Sequence, residues 1–372
     1  MDIASNLDIK IPGLNFSTLE IERARQNNQI LSFDLEFTRA CNLNCLYCYA
    51  GGKAIENELS YDEIISVIEQ AVALGAKQVV NIGGGEPLAY PFYWDVLQKE
   101  RSLGLKSITF TNGTFITKEV AQQLFDLDES IALKFNSFDH QTQDYLAGMK
   151  GTGQKIQMAL DHLLNVGYGR RSAPKLAIET IICRQNYHEI ESIYQFCRKN
   201  NIIPYIEILT LQGNAKKNND ILTTHPDENY ALFQNLLKFD QDNYDISWPL
   251  TPPVAGQTCK RLLYSMYVRS DGNIQVCPGI EIVHPDLNVK NNSIHWILKH
   301  ADVFQKARNI YQHLKGHCKS CQYDDCYGCR GTAFSDSGDY CAADPSCFII
   351  RNARKITSPF LKIGQVRQVR QV

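Results

Sequence analysis

The segment CNLNCLYCYAGG, Cys41 to Gly52, places three cysteines within eight residues. It follows Leu31 to Phe37, a short β-prone run, so the thiols belong to a loop at the end of a first strand. The gaps between them hold three residues and then two. No fourth cysteine or histidine lies near; the next histidine downstream is His140. A structural zinc site uses four protein ligands. Three thiolates with one position open fit a reactive centre better, and thiolates hold iron–sulfur clusters as well as zinc.

Outward from this segment, strand and helix patterns alternate from Leu31 to Leu209. Strand runs are Leu31–Phe37, Gln78–Ile82, Ser107–Thr111, Ile131–Phe135, Lys175–Cys183 and Ile203–Leu209. Between them the spacing predicts helices over Tyr61–Leu74, Tyr93–Leu103, Lys118–Leu127 and Ile156–Val166. Ser60 with Glu63 makes a capping box for the first of these. Asn186 with Glu189 predicts a cap for a further helix ending near Asn200. Six such units imply a parallel sheet with helices outside it, two short of a closed eight-fold barrel. The expected fold is α/β, a partial (β/α)6 TIM-like barrel with a C-terminal cysteine-rich, cluster-binding domain. Functional loops in such folds follow the C-terminal ends of strands. The cysteines, then GGEP (Gly84, Gly85, Glu86, Pro87), then TNGT, then NSFD occupy those loops in order.

The whole chain narrows the class. It has 372 residues and a net charge of −2, so no basic field points to nucleic acid or a membrane surface. No apolar run is long enough to span a bilayer. The start, MDIASNLDIKIPG, has no basic segment leading into an apolar stretch and reads as no signal peptide. The expected compartment is the cytoplasm, where structural disulfides are rare. Of thirteen cysteines, eleven lie in two regions, and such clustered cysteines then read as metal or cluster ligands. Cys183 and Cys197 stand apart and read as buried apolar residues.

The remaining cysteines begin at Cys259. Gly272 and Cys277 form G-x-x-x-x-C, and then come Cys318-x-x-Cys321, Cys326-x-x-Cys329, Cys341 and Cys347. Zinc is the competing reading, but only four residues separate the two CxxC pairs, too few for both to reach one tetrahedral ion without strain.

CxxxCxxC after a first strand, with Tyr47 before its last cysteine and GGEP after the second strand, resembles the radical S-adenosylmethionine (SAM) superfamily. The resemblance implies that Cys41, Cys45 and Cys48 hold a [4Fe–4S] cluster whose fourth iron binds SAM. Reductive cleavage then yields methionine and a 5′-deoxyadenosyl radical that abstracts hydrogen from substrate. Gly84, Gly85, Glu86 and Pro87 match the family's GGEP, which meets the methionine amino group. Ser137 matches a polar position that contacts SAM, and Thr180 and Leu209 are expected beside the adenine. The later cysteines resemble the SPASM extension, which holds two auxiliary iron–sulfur clusters. By order, one cluster takes Cys318, Cys321, Cys326 and Cys347, the other Cys259, Cys277 and Cys329. Two gaps are one residue shorter than the usual pattern, and Cys341 is left over, its pairing open.

The expected organisation is an N-terminal extension (1–30), a radical SAM core (31–215), a linker and helix (216–258), a SPASM domain (259–348) and a tail (349–372) ending in the repeat RQVRQV. Gln212–Asp227 is polar and turn-rich and reads as linker; one helix over Tyr230–Phe239 follows. The expected function is that of a radical SAM oxidoreductase that oxidises, epimerises or rearranges a small metabolite such as a sugar or aminocyclitol. The alternatives are a maturase of a ribosomally made peptide and a non-catalytic iron–sulfur electron carrier. Only about 30 residues precede the first strand, too few for the leader-binding domain expected of many peptide maturases, which a separate protein could supply. A flavodoxin or ferredoxin-type electron donor is implied; no nucleic acid or membrane partner is.

Overall fold

The computed structural model describes residues 11–51 and 55–349. Helix α1 (Thr18–Gln26) precedes six parallel strands laid side by side in chain order: β1 (Ser32–Leu35), β2 (Gln78–Asn81), β3 (Lys106–Thr111), β4 (Ser130–Lys134), β5 (Leu176–Ile182) and β6 (Ile203–Ile208). Connecting helices are α2 (Tyr61–Ala73), α3 (Tyr93–Ser102), α4 (Lys118–Asp126), α5 (His140–Ala147), α6 (Thr152–Val166) and α7 (Ile190–Lys199). The expected strands and helices are all present, with ends moved by a few residues. The Ser60–Glu63 capping box opens α2 as expected.

Strand alternation divides the apolar residues into two layers. Phe33, Leu35, Ile131, Leu133, Ile178 and Ile206 pack outward against Ile64, Ile68, Val96, Leu124 and Leu160 of the helices. The opposite faces carry Val80, Ile108, Ala132, Ala177 and Tyr205, which meet inside and close the floor of the partial barrel. The upper ends of the strands are left free to carry chemistry.

Two short strands extend the sheet beyond the six expected. β7 (Tyr267–Val268) runs parallel to β1, and β8 (Ile274–Gln275) pairs antiparallel with β7. The N–H groups of Leu31, Asp34 and Glu36 donate to the carbonyls of Tyr264, Met266 and Val268, each at 2.9 Å. The C-terminal cysteine-rich region therefore shares its backbone ladder with the barrel.

The segment Gln212–Asp227 is not a plain linker. It contains helices α8 (Gly213–Lys217) and α9 (Asn219–Leu222), and helix α10 (Pro226–Tyr244) is longer than predicted at both ends. The polar residues that suggested a linker instead hydrogen-bond the first cysteine loop, as described below. The predicted Asn186 cap is also corrected. Asn186 Oδ1 accepts the N–H of Cys183 (2.8 Å), and its Nδ2 donates to the carbonyls of Asn136 (2.8 Å) and Ile181 (3.0 Å), stitching β5 to the loop after β4. Cys183 and Cys197 are fully buried core residues. The RQVRQV tail lies outside the described residues.

Candidate functional site

The loop after β1 is held from three sides. From below, the loop after β2 runs against it: Gly85 N–H donates to Thr38 O and Glu86 N–H to Ala40 O, both at 2.9 Å. A Cβ on Gly85 would sit 2.1 Å from Ala40 O, so glycine is required there by the cysteine loop itself. From one side, α8 and α9 clamp it. Asn214 N–H donates to Cys48 O (2.8 Å), Asn214 Nδ2 to Cys45 O (3.1 Å), and Asn218 Nδ2 to Leu46 O (3.0 Å). From the other, Leu46 N–H and Asn44 N–H donate to Leu146 O and Ala147 O of α5.

Glu86 is buried beneath this loop. Its Oε1 accepts from Thr111 Oγ1 (2.6 Å) and Leu88 N–H (3.1 Å), and its Oε2 from Asn112 N–H (2.8 Å). Burial pushes its carboxyl up to about 7, against these hydrogen bonds. Pro87 is buried and opens the short turn Pro87–Ala89 that follows.

Cys41, Cys45 and Cys48 line one cavity of about 290 Å³ together with Gly84, Gly85 and Glu86. The same cavity is also lined by Cys259, Cys277 and Cys329. Elsewhere Cys326 has Cys321 and Cys318 as neighbours, with Tyr323 near Cys321, Cys326 and Cys347. Cys341 is buried, and its strongest charged neighbours are Asp339, Lys315 and Arg330.

The donor set suits thiolate ligation. Backbone N–H groups aim at the sulfurs of Cys41 (from Leu43), Cys277 (from Gly279), Cys326 (from Gly328), Cys329 (from Thr332) and Cys318 (from Asp344), all at 3.3–3.4 Å. Such bonds favour the anionic sulfur that an iron–sulfur cluster requires. Among the described residues, no three or more His, Cys, Asp or Glu are arranged to hold a single metal ion.

Of the expected cofactor contacts, Leu209 lines the cavity. Ser137 and Thr180 do not. Ser137 Oγ donates to Glu189 Oε1 at 2.5 Å, and Glu189 Oε2 accepts the N–H of Phe138 (2.8 Å), so this serine fastens the loop after β4 to α7. Thr180 Oγ1 donates to Phe135 O at 2.6 Å. On β5 the inward positions are Glu179 and Ile181, and Thr180 between them takes the other face.

Sequence reasoning missed the charges on that wall. Lys134 at the end of β4 is ion-paired with Glu179 of β5, and its ammonium lies 5.5 Å from the ring centre of Tyr47. Glu207 of β6 completes the group. Burial opposes the Lys134 charge, but Glu179 and Glu207 outweigh it and hold the lysine above its ordinary pKa. Burial and then Glu179 push Glu207 up to about 8. The available signal was the strand period: Ala132 and Lys134 share one face of β4, opposite Ile131 and Leu133.

With this geometry in place, residues 35–197 match the Radical SAM superfamily. The chain is 23% identical over 349 residues to an AdoMet-dependent heme synthase of Methanosarcina barkeri, covering 86% of this chain and 96% of that one. It is 28% identical over 333 residues to a PqqA peptide cyclase of Rhizobium meliloti, covering 84% and 85%. In fold it is similar to Streptococcus suis SuiB bound to S-adenosylmethionine, with a TM-score of 0.67 at 17% identity over 88% of this chain and 80% of that one.

Proposed function

Residues 35–197 of this chain match the radical SAM superfamily, and on that premise we propose that it is a SPASM-type oxidoreductase acting on a compact substrate held between two groups of cysteines. The observation that carries this reading is one cavity lined both by Cys41, Cys45 and Cys48 and by Cys259, Cys277 and Cys329. A [4Fe–4S] cluster on the first group supplies, when bound, the electron that cleaves SAM and so produces the hydrogen-abstracting radical. The family premise replaces the electron-carrier alternative with an enzyme.

The chain's own residues then have distinct tasks. Glu86 and the Gly84–Gly85 backbone form an acceptor-rich floor suited to the SAM ammonium. Lys134 offers a cation to its carboxylate, and Leu209 an apolar wall. Cys318, Cys321, Cys326 and Cys347 hold a second auxiliary cluster, away from the cavity. At about 290 Å³ the cavity is at the small end of ligand sites, which run roughly 300–1,000 Å³. A peptide substrate is the second reading, favoured by the likeness to a PqqA peptide cyclase along 84% of the chain.

The test is anaerobic incubation with SAM and dithionite, reading 5′-deoxyadenosine. Cys41, Cys45 and Cys48 changed together to Ala should abolish its release and remove roughly four iron atoms per chain, the content of one cubane. Wild-type cleavage in that variant would overturn the assignment. Stimulation of cleavage by the small-molecule fraction of a cell extract favours the metabolite, and stimulation by the peptide fraction alone favours the second reading.

A further inference from the structure

Asp34 is a carboxylate in the wrong kind of place for stability. It sits mid-strand in β1 on the inward face, where its partner across the β1–β2 pair is Val80, followed on β3 by Ile108, both apolar and buried. It is 1% exposed, and neither oxygen has a hydrogen-bond partner among the described residues apart from its ion pair with Arg261. Replacing such a pair with apolar residues is often neutral or stabilising, so its presence calls for another reason.

Arg261 supplies that reason by its position. It lies two residues beyond Cys259, lines the cavity beside Cys259, Cys277 and Cys329, and interacts electrostatically with Cys259 and Cys277. Resting on the reading of that cysteine group as cluster ligands, we infer that Arg261 raises the reduction potential of the group those three cysteines hold, and that Asp34 is a positioning residue that fixes the guanidinium and offsets part of its charge. Thiolates and sulfides make such a group anionic, and reduction adds one more negative charge. A fixed cation in a weakly screening interior favours the added electron, while a carboxylate behind that cation diminishes the effect. The pair is thus a set charge on the lining of the cavity that also holds the Cys41 loop.

The experiment uses the full chain carrying Cys41, Cys45 and Cys48→Ala, so that only the later cysteines hold iron. Redox titration followed by electron paramagnetic resonance gives the couples, and adding Cys259→Ala identifies the one concerned. Arg261→Met should move that couple to more negative potential, Arg261→Lys should leave it near the parent value, and Asp34→Asn should move it to more positive potential, with the other couple unmoved. An unchanged potential in Arg261→Met, or a negative shift in Asp34→Asn, would overturn the inference. If Arg261→Met loses iron, the opposed expectations for Arg261→Lys and Asp34→Asn still decide it. A Cys41/Cys45/Cys48→Ala chain holding no iron at all would overturn the reading of the cysteine group itself, an outcome separate from these.

Discussion

Glu86 accepts the backbone N–H of Asn112 at 2.8 Å, so one carboxylate joins the loop after β2 to the first residue beyond β3. The same group faces the cavity. Glu86→Gln keeps the shape but turns one oxygen into a donor and removes the charge. SAM affinity should fall by about 1.5–3 kcal/mol, the scale of a hydrogen bond to a charged group. Iron content should stay at the parental level. Equilibrium dialysis with labelled SAM, with iron quantified in parallel, measures both; undiminished affinity contradicts the role given to Glu86.

Asn218 reaches back to Leu46 O and Asn214 to Cys45 O from a segment far along the chain. Removing both amides, Asn214→Ala with Asn218→Ala, should loosen the cysteine loop without touching a thiol. Iron from the Cys41 group should pass to a chelator several-fold faster, while iron on the later cysteines leaves at the parental rate. Equal rates for all iron in parent and variant would show that α8 and α9 do not guard the loop.

Glu100 and Glu129 give the fold a pH dependence of defined sign. Burial, then the charge of Glu129, pushes Glu100 up to about 8, and burial pushes Glu129 up to about 7. Both start from 4.5 when unfolded. Between those limits the folded chain binds more protons than the unfolded one, so stability falls as pH rises. Their contribution is fully present below about pH 4.5 and is lost as pH climbs through about 8. Glu100→Gln keeps a partner for Asn81, which now donates to Glu100 Oε2 at 3.0 Å. Urea midpoints from pH 5 to 9 should decline less in this variant than in the parent; parallel curves would sink the assignment.

Asp240 binds four donors at once. It accepts from Tyr194 Oη (2.5 Å), Arg198 Nε and Nη2 (2.9 and 2.7 Å) and Trp248 Nε1 (3.0 Å), tying α10 to α7. Asp240→Ala leaves the Arg198 charge buried and alone. The expected loss is about 3–5 kcal/mol of stability, the scale for breaking a buried ion pair. Chemical denaturation measures it, and a change below about 1 kcal/mol contradicts the account.

Much of this site is legible in the sequence because its main elements are local. Cys41, Cys45 and Cys48 announce themselves by spacing, and Gly85 by a run of glycines at a strand end. What escaped notice depends on which way a strand residue faces. Lys134 reads as an ordinary charge at a strand end until β5 and β6 bring Glu179 and Glu207 beside it. Ser137 and Thr180 have suitable chemistry but spend it on Glu189 and Phe135. Asn214 and Asn218 look like linker residues because their partners lie far back in the chain.

The ladder between β1 and β7 also bears on synthesis. Until Tyr264 to Val268 are made, the N–H groups of Leu31, Asp34 and Glu36 have no carbonyl to meet, although all six barrel strands have already been translated. An unpaired strand edge is a template for intermolecular pairing. Contacts joining the two ends of a long chain also form slowly, because loop closure must come first. The nascent barrel thus waits with one side exposed for the cysteine-rich region to arrive. Stalled or truncated chains that stop before β7 are the species a cell must shield from aggregation.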